Sequence, residues 1–142
     1  MSSRGDYKDI APNTYLIDTQ TDEVRKDLGI PCSQMTLTGD SLFLFNYDYG
    51  QHNISSAIYD VTLNRTVSTD WLETAALNIE VPYGIAINPE SKEVFVTDAK
   101  DYVTPGKLFA FDKEGHYQWA VTTGDIPAHF AFTTKKLKPI NH

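Results

Sequence analysis

Residues 93–121 read EVFVTDAKDYVTPGKLFAFDKEGHYQWAV. Two runs of alternating apolar residues, Glu93–Thr97 and Leu108–Asp112, flank a polar loop containing Asp, Pro and Gly, and a third run, Tyr117–Thr122, follows the short turn KEG. Period-two alternation bounded by turn formers predicts antiparallel strands. Just upstream, Tyr83–Asn88 (YGIAIN) predicts one more strand, joined to Glu93 through the turn residues Pro89–Lys92. Residues 83–122 thus read as four strands in sequence, with short first and last connections and a long central one.

The same order of segments occurs elsewhere in the chain. The first kind is Met35–Gly39 (MTLTG), Tyr83–Asn88 (YGIAIN) and His129–Thr134 (HFAFTT), whose first residues lie 48 and then 46 positions apart. The second kind is Ser41–Asn46 and Glu93–Thr97, with Ser2–Arg4 as a clipped counterpart. The third is Thr14–Asp18, Ser56–Asp60 and Leu108–Asp112, each ending in Asp before a polar turn. The fourth is Glu23–Ile30, Thr66–Trp71 and Tyr117–Thr122. Asp18, Asp60 and Asp112 are read as turn formers, because a carboxylate at that position accepts bonds from the backbone N–H groups of the following turn. The best helical pattern, Asp70–Ile79, spans barely two turns and fits a helical turn between strands.

Four antiparallel strands in about 45 residues is the size of a β-propeller blade. Labelling strands a to d from the centre outward, the chain reads b-c-d, a-b-c-d, a-b-c-d and a lone a. The predicted fold class is therefore all-β, a propeller fragment of about three four-stranded blades. The blades fall at residues 1–30 (lacking the inner strand), 34–71 and 83–122, with an extra inner strand at 129–135. Trp71 and Trp119 lie in outer strands, where packing between blades is their expected role.

The segments PYGIAINPESKEVFVTDAKDYVTPGKLFAFDKEG, TTGDIPAHFAF and SSRGDY…PNTYLIDTQTDEV resemble the C-terminal blades of YncE-like, YVTN-type seven-bladed propellers, including surface-layer-type proteins of Gram-negative gut anaerobes. The resemblance covers nearly the whole chain but only about half of a propeller. It implies a non-enzymatic binding role: some of those surface proteins are lipoproteins that capture corrinoids such as cobalamin and pass them to a transporter. Other related propellers are lactonases or lyases, so an enzyme is the alternative, and a scaffold or truncated frame without activity is a third. Full-length relatives are expected to be exported to the periplasm or cell surface.

Bulk properties narrow the choice. The chain has 142 residues, with aromatic residues at 12%, which favours strands in one compact domain. A net charge of -7 argues against nucleic acid as a partner. The basic residues Lys135, Lys136 and Lys138 read as a solvated tail. The single cysteine, Cys32, allows no internal disulfide. The N-terminal MSSRGDYKD has no basic-then-apolar run and no segment approaches the ~18 apolar residues of a membrane span, so the chain as it stands is expected to be neither exported nor membrane-spanning.

Strand order sets which loops meet. In such a blade the b–c and d–a connections share one face. Here the b–c loops are long (from Gly5, Tyr47 and Asp98) and the d–a connections are IPCSQ, EVPYG and GDIPAH. The ligand-facing candidates on that face are Arg4, Tyr7, Tyr47, Tyr49, Tyr83, Asp98, Lys100, Tyr102 and His129, with aromatics for flat contact and charged groups as polar anchors. No catalytic residue, metal ligand or cofactor motif is assigned: the four histidines lack paired ligand spacing, and Asp6-x-x-Asp9 and Asp98-x-x-Asp101 lack the glycine-containing pattern of a calcium loop. An open arc of blades exposes strand edges and apolar faces. Exchange between two copies, giving a homodimeric six-bladed ring, is therefore expected.

Overall fold

The computed structural model describes residues 1–6 and 8–135. Its strands are β1 (Ser2–Ser3), β2 (Asn13–Ile17), β3 (Val24–Asp27), β4 (Gln34–Thr38), β5 (Ser41–Asp48), β6 (Asn53–Asp60), β7 (Arg65–Thr69), β8 (Pro82–Ile87), β9 (Val94–Asp98), β10 (Lys107–Phe111) and β11 (Tyr117–Thr122). They form three antiparallel sheets, each a meander of neighbouring strands: β1-β2-β3, β4-β5-β6-β7 and β8-β9-β10-β11. The protein is all-β, and among the described residues the sheets close into no ring. No helix there is long and apolar enough to cross a membrane.

The three sheets share one local irregularity. Pairing between the last two strands shifts register at Leu16/Ile17, at Ile58/Tyr59 and at Ala110/Phe111. Each shift lies just before the Asp that ends the third kind of sequence segment. Such a bulge adds right-handed twist locally, so each unit carries the same twist at the same place. The aspartates then make the turns. Gln20 N–H donates to Asp18 Oδ1 (2.8 Å), Thr62 and Leu63 to Asp60 Oδ1 (2.9 and 2.7 Å), and Glu114 and His116 to Asp112 Oδ1 (3.0 and 2.9 Å).

Packing explains the sequence of β5, SLFLFNYD. Alternate side chains point to opposite sides of a sheet, and here both sides are covered. Leu42 and Leu44, with Ala57 and Tyr59 from β6, join Leu16, Leu28 and Cys32 in a core against the first sheet. Phe43 and Phe45 face the other way, into a core with Ile85, Ile87, Val94, Val96, Phe109 and Phe111 of the third sheet. A strand buried on both faces reads as a nearly continuous apolar run, which is what this one does. Strands β4 and β8, the first of their sheets, run side by side.

Two expectations need correction. The extra inner strand at 129–135 is not formed. These residues carry no strand; Phe130 and Phe132 instead stack against Phe95, at ring-centroid distances of 6.3 and 6.0 Å. A lone inner strand has no outer strands of its own to pair with, and an unpaired strand in water has no ladder to hold it. Residues 70–79 form no helix; the single turn there is closed by the Leu77 N–H on the Thr74 carbonyl (2.9 Å). Lys135 is described and exposed, whereas Lys136 and Lys138 of the basic tail lie outside the described residues.

Phe111 is fully buried between the second and third sheets. Phe111→Ala is expected to lower unfolding free energy by about 3–5 kcal/mol, read as a reduced urea midpoint with unchanged slope.

A tyrosine-lined cleft on the long-loop face

The long loops and the inter-sheet connections meet where strand order places them. They enclose a cleft of about 540 Å³. Its walls come from all three sheets: Arg4, Lys8 and Pro12 from the first long loop, Tyr47, Asp48 and Tyr49 from the second, Tyr102 from the third, and Pro31, Ser33, Pro82 and Tyr83 from the connections.

Four tyrosines hold one another in place. Tyr47 and Tyr49 meet edge to face at 4.8 Å, Tyr83 and Tyr102 at 5.8 Å, and the hydroxyls of Tyr49 and Tyr102 lie 3.2 Å apart. Edge-to-face pairs of this kind contribute about 0.5–1.5 kcal/mol beyond area burial. Tyr47 also bonds through its hydroxyl to His52 Nδ1 at 3.0 Å. The hydroxyl contact with Tyr49, aided by burial and by the neighbouring phenols, pushes the Tyr102 phenol up to about 12, with Arg4 opposing. Burial, with Tyr49, Asp98 and Glu80 adding to it, raises Tyr47.

The loop carrying Tyr102 is fixed from both ends. Asp98 is fully buried and does not face the cleft. Its carboxylate accepts the N–H groups of Glu80 (3.2 Å), Val81 (2.8 Å) and Lys100 (2.9 Å), tying the loop to the connection that precedes Tyr83. Asp101 Oδ1 accepts Val103 and Thr104 N–H (3.0 and 2.7 Å) and the Thr104 hydroxyl (2.9 Å), and these bonds lower its pKa to about 2. Directly after Asp101, Tyr102 adopts φ 64°. That left-handed region costs an ordinary residue roughly 1–2 kcal/mol, and Tyr102 N–H holds it by bonding to Ala99 O (2.9 Å).

Of the sequence candidates, Arg4, Tyr47, Tyr49, Tyr83 and Tyr102 line this cleft. Asp98 is a loop brace, because only its acceptor role is compatible with complete burial. Lys100 is not among the lining residues; its backbone serves Asp98. His129 lies apart, in a groove of about 680 Å³ between β4, β8 and residues 128–132. Tyr7 lies outside the described residues. Sequence reasoning missed Lys8, Ser33 and the proline walls, although Lys8 stands in the same long loop as Arg4. The remaining paired carboxylate, Asp6, caps its own loop by accepting Lys8, Asp9 and Ile10 N–H (2.9, 3.0 and 2.8 Å). Among the described residues, no group of three or more His, Cys, Asp or Glu side chains could hold a metal ion, and Arg4 and Lys8 make no ion pair.

Compared with protein-family models and with curated protein sequences, the chain matches none.

Two outcomes test this geometry. Tyr49→Phe removes the hydroxyl partner, so Tyr102 ionisation, followed by phenolate absorbance, is expected to fall from about 12 toward the ordinary ~10. Asp98→Ala leaves three backbone donors without their acceptor and is expected to lower stability by about 2–4 kcal/mol, measured by urea unfolding; Tyr49→Phe is expected to cost under about 1 kcal/mol.

Proposed function

We propose that the three sheets are consecutive blades of a YncE-like propeller, half of a six-bladed ring completed by a second copy, and that its long-loop face binds a bulky small molecule without chemical turnover. The recurrent strand order, the bulge at the same place in every sheet and the turn-forming aspartates support the blade reading. The observation that carries the binding reading is the cleft itself. Four interlocked tyrosines form its apolar walls, and two cationic side chains without acidic partners among the described residues stand at its rim. Its volume of about 540 Å³ falls within the ~300–1,000 Å³ of small-molecule sites.

Such walls recognise flat or ring-faced ligands by stacking and apolar contact, and Arg4 and Lys8 favour an anionic substituent. A corrinoid matches that chemistry, with one edge of its macrocycle against the tyrosines, the nucleotide phosphate of cobalamin toward the cations, and the rest of a ligand larger than the cleft standing outside it. Strain at Tyr102 supports the same reading, because a bulky residue held at positive φ on a braced loop presents its ring in one orientation.

Calorimetric and absorbance titration with cobalamin tests the proposal. The expected outcome is saturable binding, weakened about tenfold, or ~1.4 kcal/mol, by Tyr83→Ala, Tyr102→Ala or Arg4→Ala. Absence of heat and of any spectral shift with cobalamin would remove the corrinoid version.

A further inference from the structure

The two outer sheets each pack one face on the middle sheet. In the third sheet, residues of one face are Ile85, Val96, Phe109 and their neighbours, all in the core against the second sheet. The register places Ala86, Phe95, Ala110 and Trp119 in one row on the opposite face, and Gly84, Thr97, Leu108 and Val121 in the next. Residues 128–132 cover part of this face, where Thr97 and Ala110 are buried and Phe130 and Phe132 lie on Phe95, whereas Trp119 and Val121 are 45% and 50% exposed. In the first sheet Leu16 turns inward, so Tyr15 and Ile17 turn outward, and Val24, paired with Ile17, is 59% exposed.

The strand inventory is unbalanced in the same way. Among the described residues the first sheet has three strands where the others have four, and its strand β1 pairs there with β2 alone. Residues 129–134 repeat the alternation of β4 and β8 but form no strand. Their leading segment nevertheless already lies on β8: the Ala128 carbonyl oxygen sits where a Cβ on Gly84 would be only 2.4 Å away. Ala128, His129, Phe130 and Phe132 share one groove with β4 and β8. Among the described residues, one sheet has one strand fewer than the others and one segment with a strand's alternation has no sheet.

We infer that residues 129–134 of one copy add as the inner strand to β1 of a second copy, while the outer face around Trp119 packs on the second copy's face around Tyr15 and Val24. This inference rests on the blade reading above, and it is independent of the ligand. A single chain joining its own ends would close three sheets into a ring, tighter than the typical range of about four to eight. A two-fold exchange satisfies both ends with one operation and leaves no open edge. Main-chain pairing supplies the ladder, and the apolar rows supply the burial.

Sedimentation equilibrium of the full chain at micromolar concentration, with hydrogen exchange on the same sample, tests it. The expected mass is twice 16.0 kDa, with the amides of 129–134 protected. Proline at Ala131 and, separately, at Phe132 removes N–H groups that point to opposite sides of a strand, so at least one variant is expected to weaken the dimer tenfold or more. Both positions are exposed and outside any strand in one copy, so the β circular dichroism is expected to persist. Trp119→Asp is expected to weaken the dimer as well. A folded monomer of 16.0 kDa overturns the inference. So does a dimer in which residues 129–134 exchange as freely as a loop, an observation on the unmodified chain that needs no variant to fold. An intrachain disulfide in a monomeric Ser3→Cys, Ala131→Cys double variant overturns it too, by showing closure within one copy. A monomer that binds cobalamin sinks the exchange and leaves the binding reading standing, whereas a strand-exchanged dimer that does not bind it supports the exchange and counts against the corrinoid.

Discussion

Burial of the middle sheet on both faces is the constraint from which the rest of this structure follows. Strand β5 sends leucines to one side and phenylalanines to the other, and neither side tolerates water. A sheet with two apolar faces is stable only between two others. Sheet stacking, rather than any internal feature of one sheet, is therefore the element of stability. It is also why the outer sheets keep the same two-faced composition with only one neighbour each: Phe95, Leu108 and Trp119 continue the pattern where the stack stops.

The cleft is a by-product of that stacking. Three meanders of equal strand order, set face to face, bring every second connection to one end. The loops at that end are the long ones, so side chains from residues far apart in sequence, such as Arg4, Tyr49 and Tyr102, share one wall. Rigidity comes from carboxylates that never touch the cleft. Asp98 and Asp101 between them accept five backbone N–H groups, and the tyrosine ring positions follow from that bracing.

Much of the fold was legible because its signals are local. Eleven strands, their order and the turn role of Asp18, Asp60 and Asp112 follow from alternation and turn chemistry. The lone segment at 129–134 was misread in isolation for a physical reason: HFAFTT has the pattern of a strand, but a pattern specifies a face, and a strand also needs a partner. Loop placement was legible from strand parity, which is how Tyr47, Tyr49, Tyr83 and Tyr102 were expected at one end, where they line one cleft. Side-chain direction within a loop was not. Asp98 and Tyr102 stand four residues apart in the same loop, and only the three donors converging on Asp98 decide which one is turned inward. His129 was expected on the long-loop face but lines the groove beside β4 and β8 instead.

The bulge shared by all three sheets, at Leu16/Ile17, Ile58/Tyr59 and Ala110/Phe111, makes each meander a module whose curvature is encoded within itself. A bend carried inside a meander does not depend on which sheet lies beside it. Meanders that bend alike can lie face to face along their length without either one straightening.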